Sequence, residues 1–184
     1  PPMTTSRVQR LAFAAAFGVI LLFALRQNTD PDLGFHLKSG EWIVQHHSVP
    51  KLDTFTYTSN HRPYLDQHWL YQALLYGTYR LGGYSLLTLL NALFLLALFG
   101  LLALRFRSAG VDPSWIPWGI LFAGLIMEWR FEIRPEITSW FFLALLLWIL
   151  ELRRLKGLNR LAFIPLVMFF WVNFQALFVL GFVL

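Results

Sequence analysis

With 184 residues that are 57% hydrophobic and only 14% charged, and a mean hydropathy of +0.55, the chain is too apolar to cover its own surface with polar side chains. Soluble domains carry about 25% charged residues, so lipid must cover much of this one. No cysteine is present, which excludes disulfides, thiolate metal sites and a cysteine nucleophile, and the net charge of +5 comes from residues that bracket apolar segments, which argues against nucleic acid.

Five segments are long or apolar enough to be read as membrane crossings, at roughly 9–27, 84–105, 115–130, 137–152 and 161–184. The first follows Arg7 and Arg10 and has the outline of a secretory signal. No small-x-small cleavage site follows it, however, and the chain runs on into Arg26, Gln27 and Asn28, so a retained helix is the better reading. Pro117 opens the third segment at its first turn, where a missing N–H is harmless. Between the third and fourth lies Arg130-Phe131-Glu132-Ile133-Arg134-Pro135-Glu136, with four charges in seven residues that must reach water or a polar cavity.

The distribution of Lys and Arg predicts orientation. With the N-terminus inside, the inner segments hold eight basic residues against Asp112 and Glu151, while the outer segments hold seven basic residues against eight acidic ones. The expectation is an integral protein of a bacterial inner membrane, with its N-terminus in the cytoplasm and the long loop at 28–83 outside. The chain divides accordingly into 1–27, 28–83 and 84–184.

The outer loop holds all five histidines, with Asp30, Asp32, Glu41, Asp53 and Asp66. Residues 33–47 read as a surface helix, with Leu33, Leu37, Gly40 and Val44 on one face and His36 and Ile43 flanking it. Residues 50–58 are β-prone or extended. A second short helix over about 67–81 ends at Gly82-Gly83.

Asp30-Pro31-Asp32 stands where the first helix leaves the membrane. Two carboxylates at this spacing can share a divalent cation or supply a general base. The plainer reading is helix capping, which Asp-Pro-Asp commonly provides. His46 and His47 diverge by about 100° on a helix and do not suit a single metal ion. In Asp66-Gln67-His68-Trp69, His68 is the histidine retained as a substrate contact. Arg130, Glu132, Arg134 and Glu136 are either mutual ion pairs or functional charges at membrane depth. Asn173 and Gln175, inside the last apolar segment, are expected to bond across to another helix.

Three stretches together resemble the GT-C superfamily, polytopic glycosyltransferases that use polyprenyl-phosphate sugars. They are Asp30-Pro31-Asp32 followed by Gly40-Glu41-Trp42, the segment from His61 through Tyr64 and Asp66-Gln67-His68-Trp69 to Tyr76, and Tyr79-Arg80-Leu81-Gly82-Gly83. Asp-Pro-Asp-Leu at 30–33, Arg134-Pro135 and Trp171-Val172-Asn173 extend the likeness. The resemblance implies that Asp32 or Asp30 is the catalytic carboxylate and that Glu132 or Glu136 matches a second acidic site. Two departures stand out. Gln67-His68 replaces the usual Pro-Pro, and the chain stops within an apolar segment at Leu184, short of the family's seven or more core helices.

Two functions follow as expectations. One is an inverting sugar transferase, with catalytic Asp32 or Asp30 and a binding set of Arg130, Glu132, Arg134, Glu136, His68 and Asp66. Its partners would be membrane lipid and the polyprenyl-phosphate donor, with no certain cofactor beyond a divalent metal that Asp30 and Asp32 could share. The other is a non-catalytic membrane subunit that packs its aromatic faces on lipids or on other subunits.

Overall fold

The computed structural model describes residues 5–27, 30–53, 55 and 62–184. His61 and, of the stretch 50–58 expected to be extended, Thr54, Thr56, Tyr57 and Thr58 lie outside these residues. Among them the chain is all-helical, with helices α1 (Thr5–Ala24), α2 (Leu33–His46), α3 (Trp69–Ser108), α4 (Ile116–Met127), α5 (Pro135–Lys156), α6 (Ile164–Phe174) and α7 (Val179–Val183). Between α2 and α3 the described residues make one isolated antiparallel bridge, Leu52 with Pro63. The Asp53 N–H donates to the Arg62 carbonyl at 2.8 Å and the Tyr64 N–H to the Lys51 carbonyl at 2.9 Å.

Among the described residues, three helices are long and apolar enough to cross a membrane: α1, α3 and α5. The sequence suggested about five crossings. At 1.5 Å per residue, α4, with 12 residues, and α6, with 11, extend about 16–18 Å, well short of a hydrocarbon core of about 30 Å. Residues 161–184 are not one helix. Backbone extension at Gln175 ends α6, because its side chain is committed elsewhere: it accepts from Ser139 of α5 at 2.9 Å and also from the Leu177 N–H.

The 40-residue α3 bends at Gly82-Gly83, where the sequence placed a helix stop. Gly83 has φ 60° and ψ −154°, a conformation open essentially to glycine alone. The bend lets residues 69–81 lie with α2 as a cap while the remainder enters the helical bundle.

Two apolar clusters hold the bundle. Ile20 of α1, Leu95 and Phe99 of α3 and Ile120 of α4 meet in one. Leu75 and Leu87 of α3, Leu146 of α5 and Trp171 of α6 meet in the other, with Leu33 of α2 at its edge. Each of these residues buries nearly all its surface, and in a lipid surrounding the clusters cohere through close van der Waals packing. Outward, Leu22, Trp118, Phe122 and Phe169 are exposed, a surface compatible with lipid.

The buried face of α2 is rotated from the one expected. Leu33, His36, Ser39, Gly40 and Ile43 are inside, while Val44 is exposed. Gly40 sets this rotation. A Cβ there would lie 2.1 Å from the Gln72 carbonyl oxygen, so α2 and α3 touch backbone to backbone along the His36–Gly40 line.

Candidate functional site

Charged contacts bring the exits of the helices together at one end of the bundle. Arg26, just past α1, pairs with Glu128 beyond α4. Asn91 of α3 donates to the Phe131 carbonyl at 2.8 Å, pinning the 128–134 turn to the bundle. At the opposite end, Arg105 pairs with Glu151 at 3.0 Å.

At the first of these ends three helices begin around one cleft of about 310 Å³. Helix α2 contributes Asp32 and His36, α3 contributes His68 at its start, and α5 contributes Arg134, Pro135 and Glu136. Asp30, Phe35 and Tyr64 complete the wall. Five of the residues singled out from the sequence, Asp30, Asp32, His68, Arg134 and Glu136, are therefore gathered here.

The starts of α2 and α3 are built alike. The Asp30 Oδ1 accepts the Asp32 N–H at 3.1 Å, and the Asp66 Oδ1 accepts the His68 N–H at 3.0 Å. Each aspartate thus closes a turn ahead of its helix. The residues at the cap positions, Asp32 and His68, make no side-chain capping bond and keep their polar atoms for the cleft. Of the two carboxylates of the plainer capping expectation, Asp30 closes the turn ahead of α2, while Asp32 makes no side-chain capping bond.

The two carboxylates of Asp-Pro-Asp consequently differ. Asp30 is 7% exposed and pairs with Arg134 at 2.8 Å, while Asp32 is exposed at the mouth. Burial pushes the Asp30 carboxyl up, opposed by the Asp32 N–H and by the Arg134 guanidinium. Arg134 also faces Glu132 at 3.3 Å, so Glu132 stands behind the cleft wall and steadies its cation. The Glu136 Oε2 is buried without a hydrogen-bond partner among the described residues.

Burial lowers both cleft histidines, His36 to about 4, with its neighbour His68 adding to the effect. The carboxylates of Asp66 and Glu136 partly restore His68. Both are therefore neutral at pH 7, their rings 5.9 Å apart. Burial, and then the nearby Asp66, push the Tyr64 phenol up to about 12, so it remains a hydrogen-bond donor.

Asp66 itself is buried and lines a neighbouring cavity of about 470 Å³, which Tyr64 also walls. Arg130 stands apart, its guanidinium 4.0 Å above the Trp129 ring. Asn173 accepts from the Trp69 indole at 2.9 Å, tying α6 to the start of α3, and the Trp171 indole donates to Ser139 at 2.9 Å. Sequence reasoning treated His36 only as part of an apolar face. The available signal was its spacing from Asp32, four residues and so one helical turn on the same side. Among the described residues, no three His, Asp or Glu side chains are grouped to hold a metal ion.

Comparison with known proteins adds no relative: no family model matches the chain, and neither a curated protein nor a solved structure matches it significantly.

Proposed function

We propose that the chain carries the outer-face site of a membrane glycosyltransferase of GT-C type, which moves a sugar from a polyprenyl-phosphate carrier to a hydroxyl acceptor with inversion. The observation that carries this reading is the convergence of three helix starts on one cleft, with an exposed carboxylate, Asp32, released from capping by its buried neighbour Asp30. Asp32 takes the acceptor's proton. The acceptor oxygen then attacks the anomeric carbon as the bond from that carbon to the phosphate oxygen breaks, and polyprenyl phosphate departs. Its negative charge develops beside Arg134 and the positive ends of three helix dipoles. Asp30 and Glu132 hold Arg134 in place. In this reading the short helices α4 and α6, extended by their flanking turns, complete five crossings of a bacterial inner membrane, with the N-terminus in the cytoplasm.

The test is sugar transfer from a polyprenyl-phosphate donor in vesicles. Asp32→Asn is nearly isosteric and leaves the Asp30 turn intact, so the protein folds while transfer falls about 10²–10⁴-fold. Full turnover by a folded Asp32→Asn chain removes the catalytic assignment. An inactive parent chain under the same conditions favours a non-catalytic membrane subunit.

A further inference from the structure

Helix α2 meets α3 through a polar contact that the apolar packing around it does not require. Gln72 has no solvent exposure, and its amide nitrogen Nε2 lies 3.3 Å from the His36 Nδ1. An amide nitrogen offers only hydrogens, so with the Gln72 amide turned this way, its oxygen Oε1 buried and without a hydrogen-bond partner among the described residues, the His36 nitrogen facing it is the one that carries a lone pair. In a neutral imidazole the proton then sits on the other nitrogen, Nε2.

We propose that Gln72 is a positioning residue that fixes His36 in its Nε2–H tautomer, so that His36 offers the cleft a neutral hydrogen-bond donor for an oxygen of the bound sugar or acceptor. The ligand half of this inference rests on the reading of the cleft as a sugar site. The tautomer half rests on geometry alone.

The backbone contact at Gly40 makes the arrangement possible. Any side chain there would push α2 away from the Gln72 backbone and draw His36, one turn earlier, out of reach of the Gln72 amide. His36 is 8% exposed, and its ring is boxed by Phe35, His68 and Tyr71 at centroid distances of 5.6–5.9 Å, so it does not turn freely to exchange its two nitrogens. The charged groups that act on it are Asp32 and Arg134, whose effects have opposite sign. An imidazole held in this way gives a hydrogen bond and takes no proton, so His36 orients a ligand oxygen and the base remains Asp32.

The experiment is ¹⁵N NMR of ring-labelled histidine in the full chain, held in lipid nanodiscs at pH 7. The His36 signals are identified by their loss in His36→Phe. The expected result is a protonated Nε2 and an unprotonated Nδ1 at His36. The reverse pattern in the parent protein overturns the assignment, whatever any variant does. An ionised Glu at position 72 can only accept, so in Gln72→Glu, at a pH where its carboxylate ¹³C shift shows it ionised, the proton is expected to move to Nδ1 or both nitrogens to be protonated. An Nε2–H signal unchanged in a folded Gln72→Glu chain whose carboxylate is ionised also overturns it. A chain with the expected tautomer but no sugar transfer upholds the role of Gln72 and rejects the sugar-site reading, so the two failures are separable.

Discussion

Asp30 and Arg134 meet at 2.8 Å, so the residue that ends the first helix's exit is bonded to the residue that opens α5. The aspartate side chain is fully enclosed, whereas the arginine keeps 27% of its surface. The pair fixes one wall of the cleft and leaves Asp32 beside it unengaged in capping.

Arg134→Gln should therefore destabilise the protein, because it strands a buried carboxylate. Breaking a buried pair costs about 3–5 kcal/mol, and the partial exposure of Arg134 puts the expected loss at the lower end, about 3 kcal/mol. Asp30→Asn combined with Arg134→Gln should recover part of it. Thermal unfolding of the four proteins in detergent gives the coupling. A coupling below about 0.5 kcal/mol would show that the pair is incidental.

Helices α2 and α3 offer a contrast between two glycines. Gly40→Ala forces a Cβ to within 2.1 Å of the Gln72 carbonyl, so α2 must move and the melting temperature should fall. Gly77 lies inside α3 with nothing within 4 Å of the place a methyl group would take, and Gly77→Ala should stabilise by about 0.5–1 kcal/mol through helix propensity. Equal responses from the two variants would dismiss the backbone contact as the determinant of α2 placement.

Burial of neutral His36 also makes stability depend on pH. Its folded value, about 4, lies below the ordinary 6.5, so the unfolded chain binds the proton more readily. The contribution is fully present above about pH 6.5 and is lost as pH falls from there toward 4. Asp30 and Asp66, raised by burial, act in the opposite direction over the carboxylate range. The difference between parent and His36→Phe isolates the histidine: unfolding curves at pH 7 and pH 5 should differ less in the variant. An identical pH slope in both would place the His36 titration outside the folded site.

The topology expected from basic residues can be read with single cysteines. Gln67 in the cap and Asn159 after α5 are both exposed, and probes on them should label from opposite sides of sealed vesicles. Labelling of both from one side would mean that only α3 and α5 cross between them and would reject the five-crossing topology.

Where the sequence was legible, the chain stated its geometry locally. Gly82-Gly83 marks the bend in α3 because only glycine takes the conformation found at Gly83. The Asp-Pro-Asp and Arg-Pro-Glu runs mark helix starts, and those starts meet. What stayed hidden depends on partners distant in sequence. Apolar periodicity put Val44 inside, but the Gly40–Gln72 contact chose the His36 face instead. The break at Gln175 follows from a bond to Ser139, which no local pattern announces. Spacing showed that Asp30 or Asp32 could cap, and only the fold shows that Asp30 does so and faces Arg134.

The ion pair between Asp30 and Arg134 also has a place in time. Its two members are about a hundred residues apart, and ribosomes add roughly 5–20 residues per second. For some 5–20 s of synthesis the aspartate has been made and its arginine has not. An enclosed carboxylate without its cation is costly, so the wall of the cleft that Asp30 forms has little reason to close early. The cleft is thus a late product of biogenesis, completed when the turn before α5 arrives.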